Sequence, residues 1–227
     1  MAIILNIETA TENCSVCLSD NEKLIFEKSE LNTQRHSEII TIWINEVLAE
    51  SGISYNQLDA VSISEGPGSY TSLRVGTSAA KAICYAFDLP LISVNTLKSL
   101  ISREKDINAE RYYFFPMIDA RRMEVYASLY DNKLNALFDN KPVILDEVDL
   151  SEFISDDEFI ILSGNGSEKA KQVFTNKKFI FSDKTCKAEN LIFESNFKFH
   201  QSKFEDIAYF SPNYIKPPNI TIPGVKH

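Results

Sequence analysis

The chain opens with short apolar stretches separated by polar turns. Residues 2–7 are almost entirely apolar, residues 14–18 alternate between apolar and small side chains, and residues 24–30 follow a polar turn. Period-two alternation interrupted by short polar links is typical of strands joined by tight turns. The pattern predicts a three-stranded antiparallel meander at the start of the chain.

Two longer segments with helical spacing follow this meander. The first covers residues 33–51, before Gly52, and the second covers residues 71–87, after a glycine- and proline-rich turn at residues 66–69. Apolar side chains spread over about 180° of the first helix, whereas a surface helix needs only about 100°. The second helix is rich in small residues, which permit close approach of another backbone. Either a second layer of this chain or a partner helix covers the surplus apolar surface.

The second half of the chain repeats the opening of the first half. Ile118 and Asp119 followed by residues 127–132 match Ile7 and Glu8 followed by residues 16–21. Each half is therefore expected to open with an apolar strand, an acidic residue at its carboxyl end, an alternating strand and a third strand.

This duplication predicts two lobes. Residues 1–105 form an N-terminal lobe that carries the two helices, and residues 106–227 form a smaller C-terminal lobe that ends in a proline-rich, extended tail. The charged residues 103–111 are expected to link the two lobes.

Two duplicated lobes with an acid after each first strand indicate an α/β fold of the actin/hexokinase-like ATPase, or ribonuclease H-like, type. Glu8 and Asp119 occupy these acidic positions. Carboxylates that flank a cleft can hold Mg²⁺ and orient a phosphoryl acceptor. A small acetate- or sugar-kinase-like phosphotransferase is therefore one hypothesis.

The turns after these acids argue against catalysis. A phosphate-binding turn in this fold needs glycine two residues after the acid, so that backbone N–H groups reach the phosphate. Ala10 and Arg121 stand at those positions. We therefore predict no catalytic residue and no intrinsic cofactor; Glu8, Asp119, Gly164 and Gly166 remain weak candidates for nucleotide contacts.

Charge restricts the partners that the chain can bind by itself. It has 23 Lys and Arg against 32 Asp and Glu, which gives a net charge of −9. A surface of this sign repels phosphate, whereas proteins that bind nucleic acid unaided are usually basic. A role on nucleic acid would therefore require a partner that supplies positive charge.

Cysteine and histidine spacing predicts no metal site. Cys14 and Cys17 fall on opposite faces of a predicted strand, about 10 Å apart, so we interpret them as buried thiols. The three histidines are too far apart in sequence for the paired-histidine motifs of zinc sites. His36 is expected to lie exposed at the start of its helix.

The chain also lacks the sequence features of a membrane or secreted protein. No basic segment precedes an apolar core at its N-terminus, and no apolar stretch approaches the roughly 20 residues of a membrane span. We therefore expect no membrane span and a cytoplasmic location.

Three stretches together resemble the signature segments of the bacterial TsaB (YeaZ) family: residues 7–16, 66–76 and 118–126. Glu8 stands where the family usually has Asp, and Ser72 and Met123 stand where it usually has Gly. The resemblance implies a non-catalytic member of the actin-like ATPase fold that pairs with a TsaD-type catalytic subunit and a TsaE-type ATPase. That complex installs threonylcarbamoyl on N6 of adenosine 37 in tRNA.

The resemblance also implies where partners bind. tRNA would be reached only through the complex, ATP or ADP would bind only with the partners present, and the isolated chain could form a homodimer. The family pairs through the two helices of its first lobe. The residues expected to face a partner are Ile39, Ile42, Trp43, Leu73, Gly76, Ala80 and Ile83.

Overall fold

A computed structural model describes residues 2–31, 33–101, 112–155 and 158–216. The first sheet contains β1 (Ile3–Glu8), β2 (Cys14–Asp20), β3 (Lys23–Glu30), β4 (Ala60–Gly66) and β5 (Leu91–Asn95). The second contains β6 (Tyr112–Asp119), β7 (Glu124–Tyr130), β8 (Ala136–Ile144), β9 (Phe159–Ser163) and β10 (Phe179–Phe181). The α-helices are α1 (His36–Ser51), α2 (Tyr70–Phe87), α3 (Thr96–Ser99), α4 (Ser167–Ala170) and α5 (Ile192–His200).

The two sheets have the same strand order. Within the described residues the first sheet runs β3-β2-β1-β4-β5 and the second β8-β7-β6-β9-β10. In each sheet, the opening three strands are antiparallel, and the next two run parallel to the first strand. This repeated topology confirms the duplicated α/β architecture and the meander that the sequence predicted for each half.

The register of the repeat differs from the sequence match by one residue. Ile7 pairs with Val16 in the first lobe, whereas Ile118 pairs with Tyr126 in the second. Tyr126, and not Ala127, is therefore the structural counterpart of Val16. The reason is that the β6–β7 loop is one residue shorter than the β1–β2 loop, which the short sequence match does not reveal.

Strand β1, at the centre of the first sheet, is buried on both faces. Ile3, Leu5 and Ile7 pack on one face in a core that includes residues of α1 and α2. Ala2 and Ile4, which alternate with them, face the opposite side. There they meet Leu191 and Phe199, which belong to the C-terminal half. Burial on both faces explains why every residue of β1 is buried.

After the second sheet the chain returns to the first lobe, and the division into 1–105 and 106–227 stays a prediction. A 3₁₀ turn at Ala188–Leu191 and α5 cover the first sheet. Glu205, further along, forms a β-bridge with Leu91 at the sheet edge. The predicted boundary at 105/106, the linker 103–111 and the tail beyond residue 216 lie outside the described residues. The described tail, 211–216, contains neither helix nor strand.

The prediction for His36 is wrong, and the prediction for Cys14 and Cys17 is confirmed. His36 is buried and not exposed, because α1 starts at this residue and its Nε2 lies 3.3 Å from the carbonyl oxygen of Asn13. Cys14 and Cys17 are buried free thiols in two separate core clusters, which confirms that the strand divides them. Across the described residues, no helix is both long and apolar enough to cross a bilayer.

Helix α2 uses its small residues within the protomer. Leu73, Gly76 and Ala80 are buried. A Cβ atom at Gly76 would lie 2.4 Å from the Thr9 hydroxyl oxygen, so glycine there permits the close approach of α2 to the β1–β2 loop. These three residues therefore do not face a partner as expected, because the chain's own first sheet and loop cover them.

We expect Ala80→Arg to destabilise the fold. Arginine at this fully buried position would place an unpaired charge in the core, at a cost of at least about 3 kcal/mol. Ala82→Arg is the matched control on the same helix, because Ala82 is exposed and such a change alters stability by no more than about 0.5 kcal/mol. Urea unfolding measures both variants, and equal stability of the two would place Ala80 on the surface.

Candidate functional site

A cleft of about 830 Å³ lies between the two lobes. Five segments of the chain contribute to its lining: the β1–β2 loop, the turn before α2, the β6–β7 turn with its flanking strand ends, the turn after β9 and residues 213–216. The residues are Ala10, Thr11, Glu12, Pro67, Gly68, Ser69, Tyr70, Thr71, Ile118, Asp119, Ala120, Arg121, Tyr126, Asn165, Asn213, Tyr214, Ile215 and Lys216. Of the two acids named from the sequence, Asp119 lines this cleft and Glu8 does not.

Glu8 is committed to the interior of the first lobe. It ends β1, is completely buried and is not among the residues that line the cleft. Its Oε1 accepts hydrogen bonds from the Ala10 N–H at 2.6 Å and the Ser64 hydroxyl at 2.8 Å, while Oε2 has no partner among the described residues. Burial raises the pKa of Glu8 to about 7. This carboxyl stabilises a turn of the protomer, and its role in nucleotide binding stays a prediction.

Asp119 is paired with a lysine of the same lobe. Its Oδ1 accepts a hydrogen bond from the Arg121 N–H at 2.6 Å and an ion pair from Lys169 Nζ at 2.8 Å. The Lys169 ammonium also donates to the carbonyl oxygens of Arg122 at 2.7 Å and Glu124 at 2.6 Å, so all three of its protons are used.

Lys169 thus places a positive charge beside Asp119. The side chain of Lys169 is 13% exposed and that of Asp119 46% exposed. Sequence reasoning missed this residue, because one lysine in a short helix after a glycine turn gives no signal of its contact with a distant strand. Among the described residues, no group of three or more His, Cys, Asp or Glu side chains could hold a metal ion.

The glycine-rich turn before α2 packs on the β1–β2 loop. The Ser69 N–H donates to the Ala10 carbonyl at 2.6 Å, and a Cβ atom at Gly68 would lie 2.3 Å from the same oxygen. The Ser69 side chain caps α2 by accepting from the Ser72 N–H at 3.4 Å. This geometry is that of a tight strand-to-helix turn, because the Ser69 N–H already has a carbonyl partner.

Gly164 and Gly166 permit close packing on β6. Gly164 has φ +86°, and a Cβ atom there would lie 2.2 Å from the Met117 carbonyl oxygen. The Gly166 N–H donates to the same carbonyl at 3.2 Å, and a Cβ atom there would lie 2.9 Å from Val125 Cγ1. Glycine is required at both positions by the protomer itself, so a role in nucleotide binding stays a prediction.

Asn165, between these glycines, joins the two lobes. Its Oδ1 accepts from the Asp119 N–H at 3.0 Å, and its Nδ2 donates to Glu12 Oε2 at 3.0 Å. The amide therefore links the β6–β7 turn of one lobe to the β1–β2 loop of the other. This contact was not foreseen, because the residues are distant in sequence.

Fewer of the residues predicted to face a partner on α1 and α2 are exposed than the sequence suggested. Ile39 is buried, as are Leu73, Gly76 and Ala80. Trp43 and Ile83 are half-buried and pack against the core, whereas Ile42 is 54% exposed. Tyr85 of α2, 86% exposed, was not named from the sequence. Ile42, Trp43 and Ile83 remain proposed partner contacts.

Comparison with known proteins identifies related sequences. The family model described as "TsaD: tRNA N6-adenosine threonylcarbamoyltransferase" matches residues 28–225. The tRNA threonylcarbamoyladenosine biosynthesis protein TsaB of Haemophilus influenzae is 36% identical over 126 residues, which are 55% of this chain and 52% of that protein. TsaB of Escherichia coli is 33% identical over 135 residues, 60% of this chain and 58% of that protein. The matched region therefore spans little more than half the length of these relatives.

A transferase and two solved structures are also similar to this chain. A tRNA N6-adenosine threonylcarbamoyltransferase of Streptococcus thermophilus is 32% identical over 125 residues, 48% of this chain and 37% of that protein. The structure of YeaZ from Pseudomonas aeruginosa has a TM-score of 0.77 at 21% identity and covers 94% of this chain and 100% of its own. A second Pseudomonas aeruginosa protein, described as similar to peptidase YEAZ, has a TM-score of 0.81 at 21% identity, with 95% and 100% coverage. The sequence matches confirm the resemblance, and the structural matches show that the chain has the fold of the YeaZ structures.

We expect Glu8→Gln to remove a loss of stability at high pH. The pKa of Glu8 in the folded chain, about 7, lies above its ordinary value of 4.5. A carboxyl whose pKa is raised by folding favours the folded state below pH 4.5, and that contribution is lost as the pH rises through about 7. One pKa unit corresponds to about 1.4 kcal/mol, so the loss reaches about 3 kcal/mol.

Urea unfolding at about pH 4.5 and about pH 8.5 measures this loss. The free energy of unfolding of the unmodified chain should fall between the two conditions by about 3 kcal/mol more than that of Glu8→Gln. Glu22→Gln, in an exposed turn, serves as the control and should follow the unmodified chain. Parallel pH profiles for Glu8→Gln and the unmodified chain would contradict the assignment.

Proposed function

The chain belongs to the TsaD family of tRNA N6-adenosine threonylcarbamoyltransferase proteins, and we propose that it acts in this pathway as a non-catalytic subunit. In this proposal it binds a TsaD-type catalytic subunit and supports formation of N6-threonylcarbamoyladenosine at position 37 of tRNA. A TsaE-type ATPase is the proposed third component. The names of the TsaB relatives support the pathway.

The observation that carries the non-catalytic role is the Lys169–Asp119 ion pair. Group transfer at a phosphate depends on carboxylates that hold a divalent cation at the reacting group. The Lys169 ammonium, 2.8 Å from Asp119 Oδ1, already neutralises this carboxylate. Glu8, at the matching position of the first lobe, is buried against Ala10 and Ser64. Both acids therefore have structural partners.

The proposed partner surface is the exposed face of α1 and α2. A pair of helices can pack against an equivalent pair on a protein of related fold, with apolar side chains facing small ones. Ile42 is an apolar side chain that is more than half exposed, and Ala82 on α2 is small and exposed. The same surface would permit self-association of the isolated chain, in competition with the catalytic partner.

The acidic charge of the chain fits a subunit that reaches tRNA through its partner. Binding to tRNA depends on Lys and Arg side chains that neutralise phosphates, and the net charge here is −9. Within this proposal, the catalytic partner supplies the positive surface.

The Ile42→Arg variant tests the partner surface. Ile42 is exposed, so the fold should be retained, while a charge in an apolar interface should weaken binding to the cognate TsaD-type protein by at least about tenfold. Co-expression followed by size-exclusion chromatography and mass measurement detects the complex. Threonylcarbamoyladenosine content of tRNA, in cells that depend on the variant, should fall in parallel.

Leu137→Arg is the matched control, because it replaces an exposed apolar side chain on β8 of the second lobe. It should bind the partner and support modification as the unmodified chain does. Full binding by a folded Ile42→Arg variant would place the partner surface elsewhere. If the unmodified chain neither binds a TsaD-type protein nor supports tRNA modification, the proposed function is wrong.

A further inference from the structure

The segment after α5 runs along the first lobe before it reaches the cleft. Glu205 pairs with Leu91 at the edge of the first sheet. The Lys81 ammonium donates to the carbonyl oxygens of Ala208 at 3.4 Å and Phe210 at 3.1 Å. Pro212, next along the chain, is buried. The segment is thus held on the first lobe by backbone contacts over most of its length.

At the cleft, Asn213 and Tyr214 bind the turn that starts α2. The Asn213 N–H donates to the Glu65 carbonyl at 2.7 Å. The ring of Tyr214 packs on Tyr70 with 4.4 Å between centroids, and its hydroxyl accepts from Arg74 Nε at 3.2 Å. Gly66, at φ +110°, makes room for this contact, because a Cβ atom there would lie 2.6 Å from the Asn213 carbonyl oxygen.

Two residues later the segment reaches the second lobe. Lys216 Nζ forms an ion pair with Glu124 Oε1 on β7 at 2.5 Å. The Lys216 side chain lines the interlobe cleft and also a neighbouring cavity of about 700 Å³ in the second lobe. Tyr126 lines both cavities as well.

We propose that Asn213–Lys216 form a strap that ties the two lobes together and sets the width of the interlobe cleft. An exposed ion pair contributes little to stability, because ordering both of its side chains costs conformational entropy. Here the backbone bond of Asn213 and the packing of Tyr214 hold Lys216 near Glu124, so the pair forms at a high effective concentration. Asn165 and Glu12 supply a second link across the same cleft.

A small apolar core at the base of the cleft also connects the two lobes. Leu97 and Leu100 of the first lobe pack with Ile118 and Cys186, in a small core that joins the lobes, with Tyr126 against it. Motion about such an apolar contact changes the distance between the loops that line the cleft. A tie at Lys216 restricts that motion, because it connects the first lobe to β7 outside this core.

A charge-swap experiment on the full chain tests the strap. Spin labels attached to Glu22→Cys and Glu147→Cys report the distance between the lobes, because these exposed positions lie on different lobes. The four native cysteines are buried, so the labels react at the two introduced cysteines. Lys216→Glu and Glu124→Lys should each add a second population at longer distance, because like charges then face each other. The double variant Lys216→Glu/Glu124→Lys should restore the single narrow distribution.

Tyr209→Ala is the control, since Tyr209 lies in the same segment, is 87% exposed and is not among the residues that line the cleft. It should leave the distance distribution unchanged. An unchanged distribution in a folded Lys216→Glu variant would overturn the proposal, and so would a double variant that does not return to the single population. The readout is a distance within this chain, so it is independent of partner binding and of tRNA modification.

Discussion

Strands β1 and β2 are buried on both of their faces up to the half-buried Asp20 at the end of β2, so water is excluded from both faces. Helices α1 and α2 cover one face, and α5 covers the other from the far end of the chain. The segment after α5 therefore begins on the first lobe and runs beside α2 to the cleft. This requirement brings residues 213–216 to the cleft from the first lobe.

The same requirement decides which small and polar residues are available to a ligand or partner. Gly76 faces Thr9, and Gly164 and Gly166 face β6, so each glycine permits contact between two parts of the protomer. Glu8 is enclosed by its own turn, and Asp119 is held by Lys169. The two acids and the glycine turns near the cleft are thus used for contacts within the protomer.

Much of the fold could be predicted from local patterns. Alternation located the strands of both meanders, Gly52 marked the end of α1, and the match between the two halves indicated two sheets of one topology. The pairing of Ile118 with Tyr126 instead of Ala127 could not be predicted, because a short match between apolar residues does not show a one-residue difference in loop length. Burial of Ala80 could not be predicted either, since an alanine suits a core and a close helix contact equally well.

The sequence by itself determined the class of the fold, the family resemblance and the positions of the two acids, because these depend on residue type and local spacing. Tertiary structure alone decided that Lys169 neutralises Asp119, that Asn165 reaches Glu12 and that Lys216 reaches Glu124. Each of these pairs joins residues that are far apart in the chain. Such contacts depend on how whole elements pack, and local periodicity carries no information about that packing.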